Sequence, residues 1–445
     1  MKFLYNFFEP SEKYYAKYLY NIFDQLCWNQ LIYRTNQIEE LSDKIWFLPI
    51  TIDNYKEFIK EDQNVFNTIP ESIICTIREY GGFILFDFSY DAIPSDPIIF
   101  KNFHSRLKKR NISPDRVVII NGNMENTDQY LIFCKQENIK NKMKIIGYDS
   151  FFYLYSGFCN TIYKREELEE RIRIYGMTYF ENHLRERYFL SLNRMPRPHR
   201  YALMLFFVEN NLLDKGLVSF AGHALPSAKT LLCGSKNISH PYFSKNPEII
   251  YNILEKNKVN VLFDTNKMYQ NIIKLIGKCP IVLDEDFQKK VEDIAFDNSN
   301  PQLYLKSYLS IVTDTRFFEN NFLFITEKVY KSIFNLHPFI YVGPPGSLDH
   351  LRKLGFETFS PYIDESYDSI INPAKRMEGI FQEIKRLCSL PLSDMHYIYS
   401  MLWNKLLRNY YNFLYNSKIF FPYMINEIIL SKFSLNEQKN EKFLL

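Results

Sequence analysis

Two short segments of this 445-residue chain combine positive charge with the predicted start of a helix. One is Thr326-Glu327-Lys328, and the other is the loop 194–200, which holds three arginines and a histidine. A helix N-terminus binds anions because its first N–H groups are unpaired and its dipole is positive there. Lys328 adds a full charge, and Glu327 can accept hydrogen bonds from hydroxyl groups. Together they favour an anionic ligand that also carries hydroxyls, as a sugar nucleotide does.

The loop 194–200 follows an apolar run at 187–193 that predicts a buried strand, and Pro198 suits the first turn of a helix. Guanidinium groups at the carboxyl end of a strand make a pocket for phosphate oxygens. We interpret the two segments as halves of one diphosphate clamp, the alternative being a surface loop with incidental arginines. The candidate donor-binding residues are Asn193, Arg194, Arg197, Arg200, Thr326, Glu327 and Lys328.

A diphosphate held by arginine and lysine needs no divalent ion to neutralise its charge. The nearest approach to an acidic metal-binding triplet is Asp284-Glu285-Asp286, which we interpret as an acidic turn, with a metal role as the alternative because it follows a predicted strand. The histidines show no metal-ligand spacing, and the seven cysteines are scattered singly without a CxxC pair. We therefore expect no metal, no disulfide framework, and no cofactor other than a nucleotide-sugar co-substrate.

Apolar runs bounded by Gly, Asn, Asp or Pro predict two successive series of buried parallel strands with crossover helices. The first series has predicted strands at 44–52, 82–88, 116–121 and 142–148, and a helix at 128–136. The second has predicted strands at 187–193, 217–221, 259–264, 279–284, 309–314 and 339–342, with a helix at 198–211. Helices are predicted at 376–387 and 392–414.

Two consecutive parallel-sheet series predict an α/β fold of two Rossmann-like lobes with a cleft between them, braced by C-terminal helices. We expect an N-terminal acceptor-binding lobe at 1–170, a donor-binding lobe at 171–365, and the C-terminal helices at 366–445. Ligands of such sheets bind beyond the carboxyl ends of the strands.

A sugar transfer that inverts the configuration at the anomeric carbon needs a base that takes the proton of the attacking hydroxyl. Asp87 and Asp91 are the candidates, because Asp87 lies at the carboxyl end of the predicted strand at 82–88, after the run Gly82 to Phe86, and Asp91 follows it. Glu125 and Asp149 compete with them, since each follows another strand of the same series.

The charge balance of +3 is far from that of a dedicated nucleic-acid binder. The densest basic patch, residues 104–110, is interpreted as a solvated helix face. The alternative is a surface for a nucleic-acid or anionic-lipid acceptor. Glu9 and Pro10 interrupt the apolar N-terminus before a signal-peptide core can form, and no apolar run is long enough to span a bilayer. We expect a cytoplasmic protein whose membrane contact is at most peripheral.

At its two basic segments the chain resembles the fucosyltransferases that form α1,3 linkages from GDP-fucose, a GT-B family. Asn193 through Pro198 to Arg200 is similar to that family's Asn, Pro, Arg segment, and Thr326-Glu327-Lys328 is similar to its Thr-Glu-Lys helix opening. The resemblance covers roughly 186–360. It departs from the family before the strand at 339–342, where Asn335-Leu336-His337 stands in place of a small residue.

The resemblance implies that Arg200 and Lys328 contact the donor phosphates and that Glu327 binds the ribose hydroxyls. It also implies a metal-independent inverting glycosyltransferase, with a GDP-sugar as the favoured donor and a glycan as acceptor. Two alternatives remain: a glycosyltransferase acting on modified nucleic acid, and a non-catalytic protein that binds nucleotide-sugars or glycans.

Overall fold

The structure is a computed structural model. It describes residues 3–6, 32–35, 46–51, 69, 71–80, 83–88, 92–180, 184–193, 195–222, 242, 244–283 and 300–415. These residues divide into two compact units, the first reaching to Ser150 and the second beginning at Phe151. A short stretch of the later chain, Asn321–Phe324, also belongs to the first unit. The predicted boundary lay at 170/171.

The first unit is built on a parallel sheet with the strand order β2-β1-β3-β4-β5-β6. Its strands are β1 (Phe3–Asn6), β2 (Ile32–Thr35), β3 (Trp46–Thr51), β4 (Phe83–Phe88), β5 (Val117–Asn121) and β6 (Lys144–Gly147). Its helices are α1 (Glu71–Tyr80), α2 (Pro97–Lys109) and α3 (Asn126–Gln136). Every residue of β5 is buried, which explains its unbroken apolar sequence.

The second unit is built on a parallel sheet with the order β10-β9-β7-β8. Its strands are β7 (Arg187–Asn193), β8 (Gly216–Phe220), β9 (Ser307–Thr313) and β10 (Phe339–Val342). Its helices are α4 (Ser150–Ile162), α5 (Arg165–Phe180), α6 (Pro198–Glu209), α7 (Pro247–Lys256), α8 (Thr265–Lys278), α9 (Pro301–Leu305), α10 (Glu327–Phe334), α11 (Ser347–Lys353), α12 (Pro373–Ser389) and α13 (Leu392–Tyr415). The predicted α/β class with two parallel sheets is confirmed.

The register of the second sheet brings the carboxyl ends of its strands to one edge. Asn193 at the end of β7 pairs with Phe220 at the end of β8, and Thr313 at the end of β9 pairs with Val342 at the end of β10. Loops that leave this edge contain both basic segments singled out in the sequence. The fold therefore places the candidate clamp where parallel sheets bind ligands.

Two of the predicted strands differ from the structure. Residues 259–264 form a 3₁₀ turn at Asn260–Leu262, and Asp264 then caps α8 by accepting a hydrogen bond from Asn266 N–H. At 279–284 the described part, which ends at 283, makes a single antiparallel bridge between Ile281 and Phe220. A short apolar run does not by itself distinguish a strand from another buried segment, and here the Asp264 cap favours the helix.

Candidate functional site

The edge of the second sheet is organised around Asp314, which directly follows β9 and is 0% exposed. Its Oδ1 accepts hydrogen bonds from Thr315 N–H and from the Thr326 hydroxyl at 2.8 Å. Its Oδ2 accepts from Thr326 N–H at 3.0 Å and from the Tyr341 hydroxyl. A buried carboxylate is stable only when it is hydrogen-bonded in this way. Asp314 therefore fixes the start of α10 to the end of β9.

Thr326 is the N-cap residue of α10, as predicted, but its side chain makes no capping hydrogen bond to the first turn. Its hydroxyl donates to Asp314 and accepts a hydrogen bond from Lys328 Nζ at 3.0 Å. Lys328 Nζ also lies 3.1 Å from Glu327 Oε1. Although burial raises the pKa of Glu327, the charges of Lys328 and Lys331 outweigh it and hold that pKa below its usual range. The helix thus begins with an ionised Glu and a Lys beside each other.

Arg200 is buried and its guanidinium donates to backbone carbonyls. Nη1 lies 2.8 Å from Met195 O, and Nη2 lies 3.2 Å from Thr313 O and 3.1 Å from Asp314 O. Its Nε has no hydrogen-bond partner. Burial, together with the positive charge of Arg197, lowers the pKa of Arg200 to about 10. In this geometry Arg200 ties the loop after β7 to the end of β9.

His199 makes a second link between the same two loops. Its Nε2 donates to Asp314 O at 3.0 Å, and its ring stacks on Phe317 at a centroid distance of 5.5 Å. Burial and the nearby arginines 200 and 197 hold the pKa of His199 well below its usual value, so the ring is neutral. Arg376 packs on Phe317, with its guanidinium carbon 4.4 Å from the ring centroid. The loop after β9 is therefore fixed at Phe317.

Arg197 differs from Arg200 in its surroundings. It is the N-cap residue of α6 and half-buried, and within the described residues its guanidinium makes no hydrogen bond or ion pair. Burial, followed by the positive charge of Arg316, lowers the pKa of Arg197. Arg316 itself pairs with Glu319, Nη1 to Oε1, at 2.9 Å. Two arginines from different loops thus stand near each other at this edge.

Asn193 is 0% exposed and accepts a hydrogen bond from the Thr313 hydroxyl. Its amide nitrogen donates to Ser191 Oγ at 2.9 Å. Both polar ends of this side chain are engaged between β7 and β9. Arg194 lies outside the described residues.

The segment Asn335-Leu336-His337, which departs from the fucosyltransferase pattern, connects elements of the second unit. Asn335 Oδ1 accepts from Arg171 Nη1 at 2.7 Å and from the Tyr175 hydroxyl at 3.0 Å, both on α5. His337 donates from Nε2 to Ser307 O, while its Nδ1 lies 2.7 Å from Ser310 Oγ. Burial lowers the pKa of His337 to about 3. These polar residues hold α10 against α5 and β9.

The Gly/Pro loop after β10 leads into α11, whose N-terminus is already occupied by a carboxylate. Gly346 has a φ of 78°, a left-handed conformation that favours glycine. Asp368 accepts from Leu348 N–H at 3.1 Å and from Asp349 N–H at 3.2 Å. This helix start is therefore capped from within the chain.

In the first unit the described residues include three of the four candidate bases. Asp87 lies in β4, paired with Thr51 and Ile120, and its side chain lies outside the described part. Asp91 lies outside the described residues altogether. Asp149, after β6, is 5% exposed. Glu125 follows β5, and its buried Oε2 has no hydrogen-bond partner. Burial and the charge of Asp128 raise the pKa of Glu125.

The basic patch at 104–110 is largely engaged by the first unit. Arg106 is 6% exposed, and His104 Nε2 lies 3.0 Å from the Tyr130 hydroxyl. Arg110 donates to Ile69 O at 2.8 Å and pairs with Glu71 at 3.3 Å. Lys108 and Lys109 are exposed. Two of the four Lys and Arg side chains of the patch are thus turned inward, and the other two, Lys108 and Lys109, face solvent.

Asp314 and Arg316 were not among the donor-binding residues predicted from the sequence. Asp314 ends the predicted strand at 309–314 and Arg316 lies two residues beyond it, which is the same signal that identified the loop 194–200. Residues 284–286, the acidic turn, lie outside the described part of the chain. Among the described residues, no three His, Cys, Asp or Glu side chains are grouped so as to hold a metal ion. No helix within the described ranges is long and apolar enough to cross a membrane.

No protein-family model matches the chain, and no curated protein matches its sequence. The solved structures that are similar to it include the following three. α,α-Trehalose 6-phosphate synthase from Burkholderia multivorans has 10% identity and a TM-score of 0.43, over 92% of this chain and 75% of that one. A UDP-forming α,α-trehalose-phosphate synthase from Burkholderia vietnamiensis has 9% identity and a TM-score of 0.37, over 94% and 98%. An E. coli trehalose-6-phosphate structure bound with UDP-2-fluoro glucose has 10% identity and a TM-score of 0.38, over 94% and 98%. At TM-scores below 0.5 these likenesses are too weak to assign an activity.

Proposed function

We propose that this protein is a GT-B glycosyltransferase that moves a sugar from a nucleotide-sugar donor to a hydroxyl of a glycan acceptor, with inversion and without a metal ion. One observation carries the proposal. Arg197 and Arg200 lie at the start of α6, Arg316 lies in the loop after β9, and Lys328 lies in the first turn of α10. All three segments follow strands at the carboxyl edge of one parallel sheet. Such a cationic edge suits a diphosphate, the part shared by nucleotide-sugar donors.

In the proposed mechanism the acceptor oxygen attacks the anomeric carbon of the sugar. The bond from that carbon to the phosphate oxygen breaks, and its electron pair leaves with the nucleoside diphosphate. The arginines and Lys328 stabilise the negative charge that develops on the leaving group. Glu327 is ionised beside Lys328, which suits the acceptance of hydrogen bonds from ribose hydroxyls.

The proton of the attacking hydroxyl passes to a carboxylate of the first unit. Asp87 and Asp91 remain the candidates from the sequence, with Glu125 and Asp149 as the competitors. The raised pKa of Glu125 is the kind expected of a general base. A GDP-sugar, with fucose or a similar sugar, is the proposed donor, on the basis of the resemblance at residues 193–200 and 326–328.

The nucleic-acid alternative rests on the patch at 104–110. Arg106 and Arg110 have internal partners, so we favour a glycan acceptor. A salt-dependent affinity for duplex DNA or RNA that is lost in a Lys108→Ala, Lys109→Ala variant would instead support that alternative.

The first experiment is a thermal-shift screen of the purified protein against GDP, UDP and CMP, followed by sugar transfer in EDTA. We expect a diphosphate nucleotide to raise the melting temperature and transfer to persist in EDTA. Transfer that depends wholly on added metal would contradict the proposed mechanism. Nucleotide binding without hydrolysis or transfer across many donors would favour the non-catalytic alternative.

Lys328→Ala should weaken nucleotide binding by about tenfold, the effect of losing roughly 1.4 kcal/mol from one charge-assisted contact. Lys353→Ala is the matched control, because Lys353 is an exposed lysine of α11 paired with Asp349. Isothermal calorimetry with GDP and UDP measures both. Equal affinities in the wild type, the variant and the control would contradict a phosphate site at the start of α10.

A further inference from the structure

Arg316 stands two residues beyond Asp314 in the loop that leaves β9. Its guanidinium is 22% exposed and pairs with the Glu319 carboxylate, which is 37% exposed, at 2.9 Å. Glu319 Oε2 also accepts a hydrogen bond from Phe317 N–H at 3.3 Å. Ion pairs this open to solvent contribute little stability, at most about 1 kcal/mol. A stronger anion can therefore replace Glu319 at modest cost.

The loop of Arg316 is held in position by contacts of its neighbours, which do not involve Glu319. Phe317, its neighbour, stacks on His199 at 5.5 Å and carries Arg376 on its ring at 4.4 Å. His199 also donates to Asp314 O. These contacts hold the loop of Arg316 against the start of α6, where Arg197 is the N-cap residue. Arg197 and Arg316 are thus held on neighbouring segments, and burial followed by the charge of Arg316 lowers the pKa of Arg197.

The charges at this edge are unbalanced. Asp314 is 0% exposed and already accepts four hydrogen bonds at its carboxylate. It therefore has no capacity for a further partner at the surface. Glu319 neutralises Arg316, and Arg197 makes no ion pair within the described residues. Among the described residues, the charge of Glu319 acts on both arginines, but its carboxylate pairs with Arg316 alone.

We propose that Arg316 is a further diphosphate-binding residue of this site, paired with Arg197, and that Glu319 is a resident counter-ion which the diphosphate displaces. This inference rests on the proposed function. In the free protein the Glu319 carboxylate holds the Arg316 guanidinium through the contact between Oε1 and Nη1. When the diphosphate arrives, its oxygens take over the guanidinium, and the Glu319 carboxylate returns to solvent. No covalent bond is made or broken in the exchange.

The inference predicts opposite effects from the two partners of one ion pair. Arg316→Gln removes a ligand and should weaken the binding of inorganic pyrophosphate about tenfold. Glu319→Gln removes the competitor and should strengthen binding by roughly twofold to fivefold, since an exposed pair contributes at most about 1 kcal/mol. The Gln side chain keeps an acceptor for Phe317 N–H, so the loop should stay in place. In the double variant the gain from Glu319→Gln should disappear.

The measurement is isothermal calorimetry with inorganic pyrophosphate and with GDP and UDP, alongside melting temperatures of each variant. A merely structural pair would lose stability in both single variants, and neither would gain affinity. Unchanged or weaker binding in Glu319→Gln would overturn the inference even if Arg316→Gln does not fold.

The failure of this inference differs from the failure of the proposed function. If Lys328→Ala weakens nucleotide binding while Arg316→Gln and Glu319→Gln leave it unchanged, only the role of Arg316 and Glu319 is lost. If neither pyrophosphate nor any nucleotide binds the wild type, the proposed function fails and the inference fails with it.

Discussion

Arg197 and Arg200 are three residues apart in the sequence, yet their guanidinium groups have different surroundings. Arg200 is buried and bonded to three backbone carbonyls, of Met195, Thr313 and Asp314. Arg197 is half-buried and makes no such bond within the described part of the chain. The sequence alone assigned both to phosphate binding, because residue type and spacing carry no information about which side chain the backbone will engage.

This difference predicts separable effects of the two alanine variants. Arg200→Ala leaves buried carbonyl groups without donors and should lower the free energy of unfolding by about 3 kcal/mol. Arg197→Ala should change it by less than about 1 kcal/mol while weakening nucleotide binding about tenfold. Urea unfolding and calorimetry distinguish them. Equal loss of stability in both variants would show that Arg197 is structural as well.

At the scale of elements, the sequence predicts the strands best where an apolar run is long and is bounded by Gly, Asn, Asp or Pro. The strands β7, β9 and β10 lie within two residues of their predicted positions. β9 and β10 are buried along their whole length, and β7 is buried at residues 189–191 and 193. The strands β1 and β2 were not predicted, since four residues such as Ile32–Thr35 show no usable period. The role of Asp314 could not be predicted either, because three of its four donors belong to Thr326 and Tyr341, 12 and 27 residues further along the chain.

The N-terminus of α11 is capped by a carboxylate of the same chain, so its first N–H groups are not available to another anion. Asp368→Ala removes the carboxylate that accepts from Leu348 and Asp349 N–H, and should lower the free energy of unfolding by about 1–2 kcal/mol. Asp349→Ala, in the first turn of the same helix, is the matched control and should cost a few tenths of a kcal/mol. Urea unfolding measures both. A similar effect of the two changes would contradict capping by Asp368.

At the scale of the whole molecule, two buried neutral histidines make stability depend on pH. His337 has a pKa of about 3, and the pKa of His199 is also far below its usual value. An unfolded histidine titrates near 6.5, so between about pH 6.5 and 3 the unfolded chain binds protons that the folded chain does not. The stabilisation is complete above about pH 6.5 and is lost as pH falls below it.

The expected slope is about 1.4 kcal/mol per pH unit for each of these histidines once the unfolded group is protonated. Urea unfolding at pH 7.5, 6.5 and 5.5 measures it. His337→Gln should reduce the slope of the free energy of unfolding against pH, below about pH 6.5, by about 1.4 kcal/mol per pH unit, because Gln does not titrate. A slope that this variant leaves unchanged would mean that His337 is not neutral in the folded protein.

The stretch Asn321–Phe324 belongs to the first unit although it follows β9 of the second. Leu323 N–H donates to Asn123 Oδ1 at 3.0 Å, Met124 N–H donates to Leu323 O at 2.9 Å, and Phe322 and Phe324 are 3% and 4% exposed. During synthesis the first unit therefore remains incomplete until the ribosome has translated Phe324. A fragment ending near residue 150 would lack these partners, and one beginning there would expose two phenylalanines to aggregation. Neither half is expected to be a good expression target by itself.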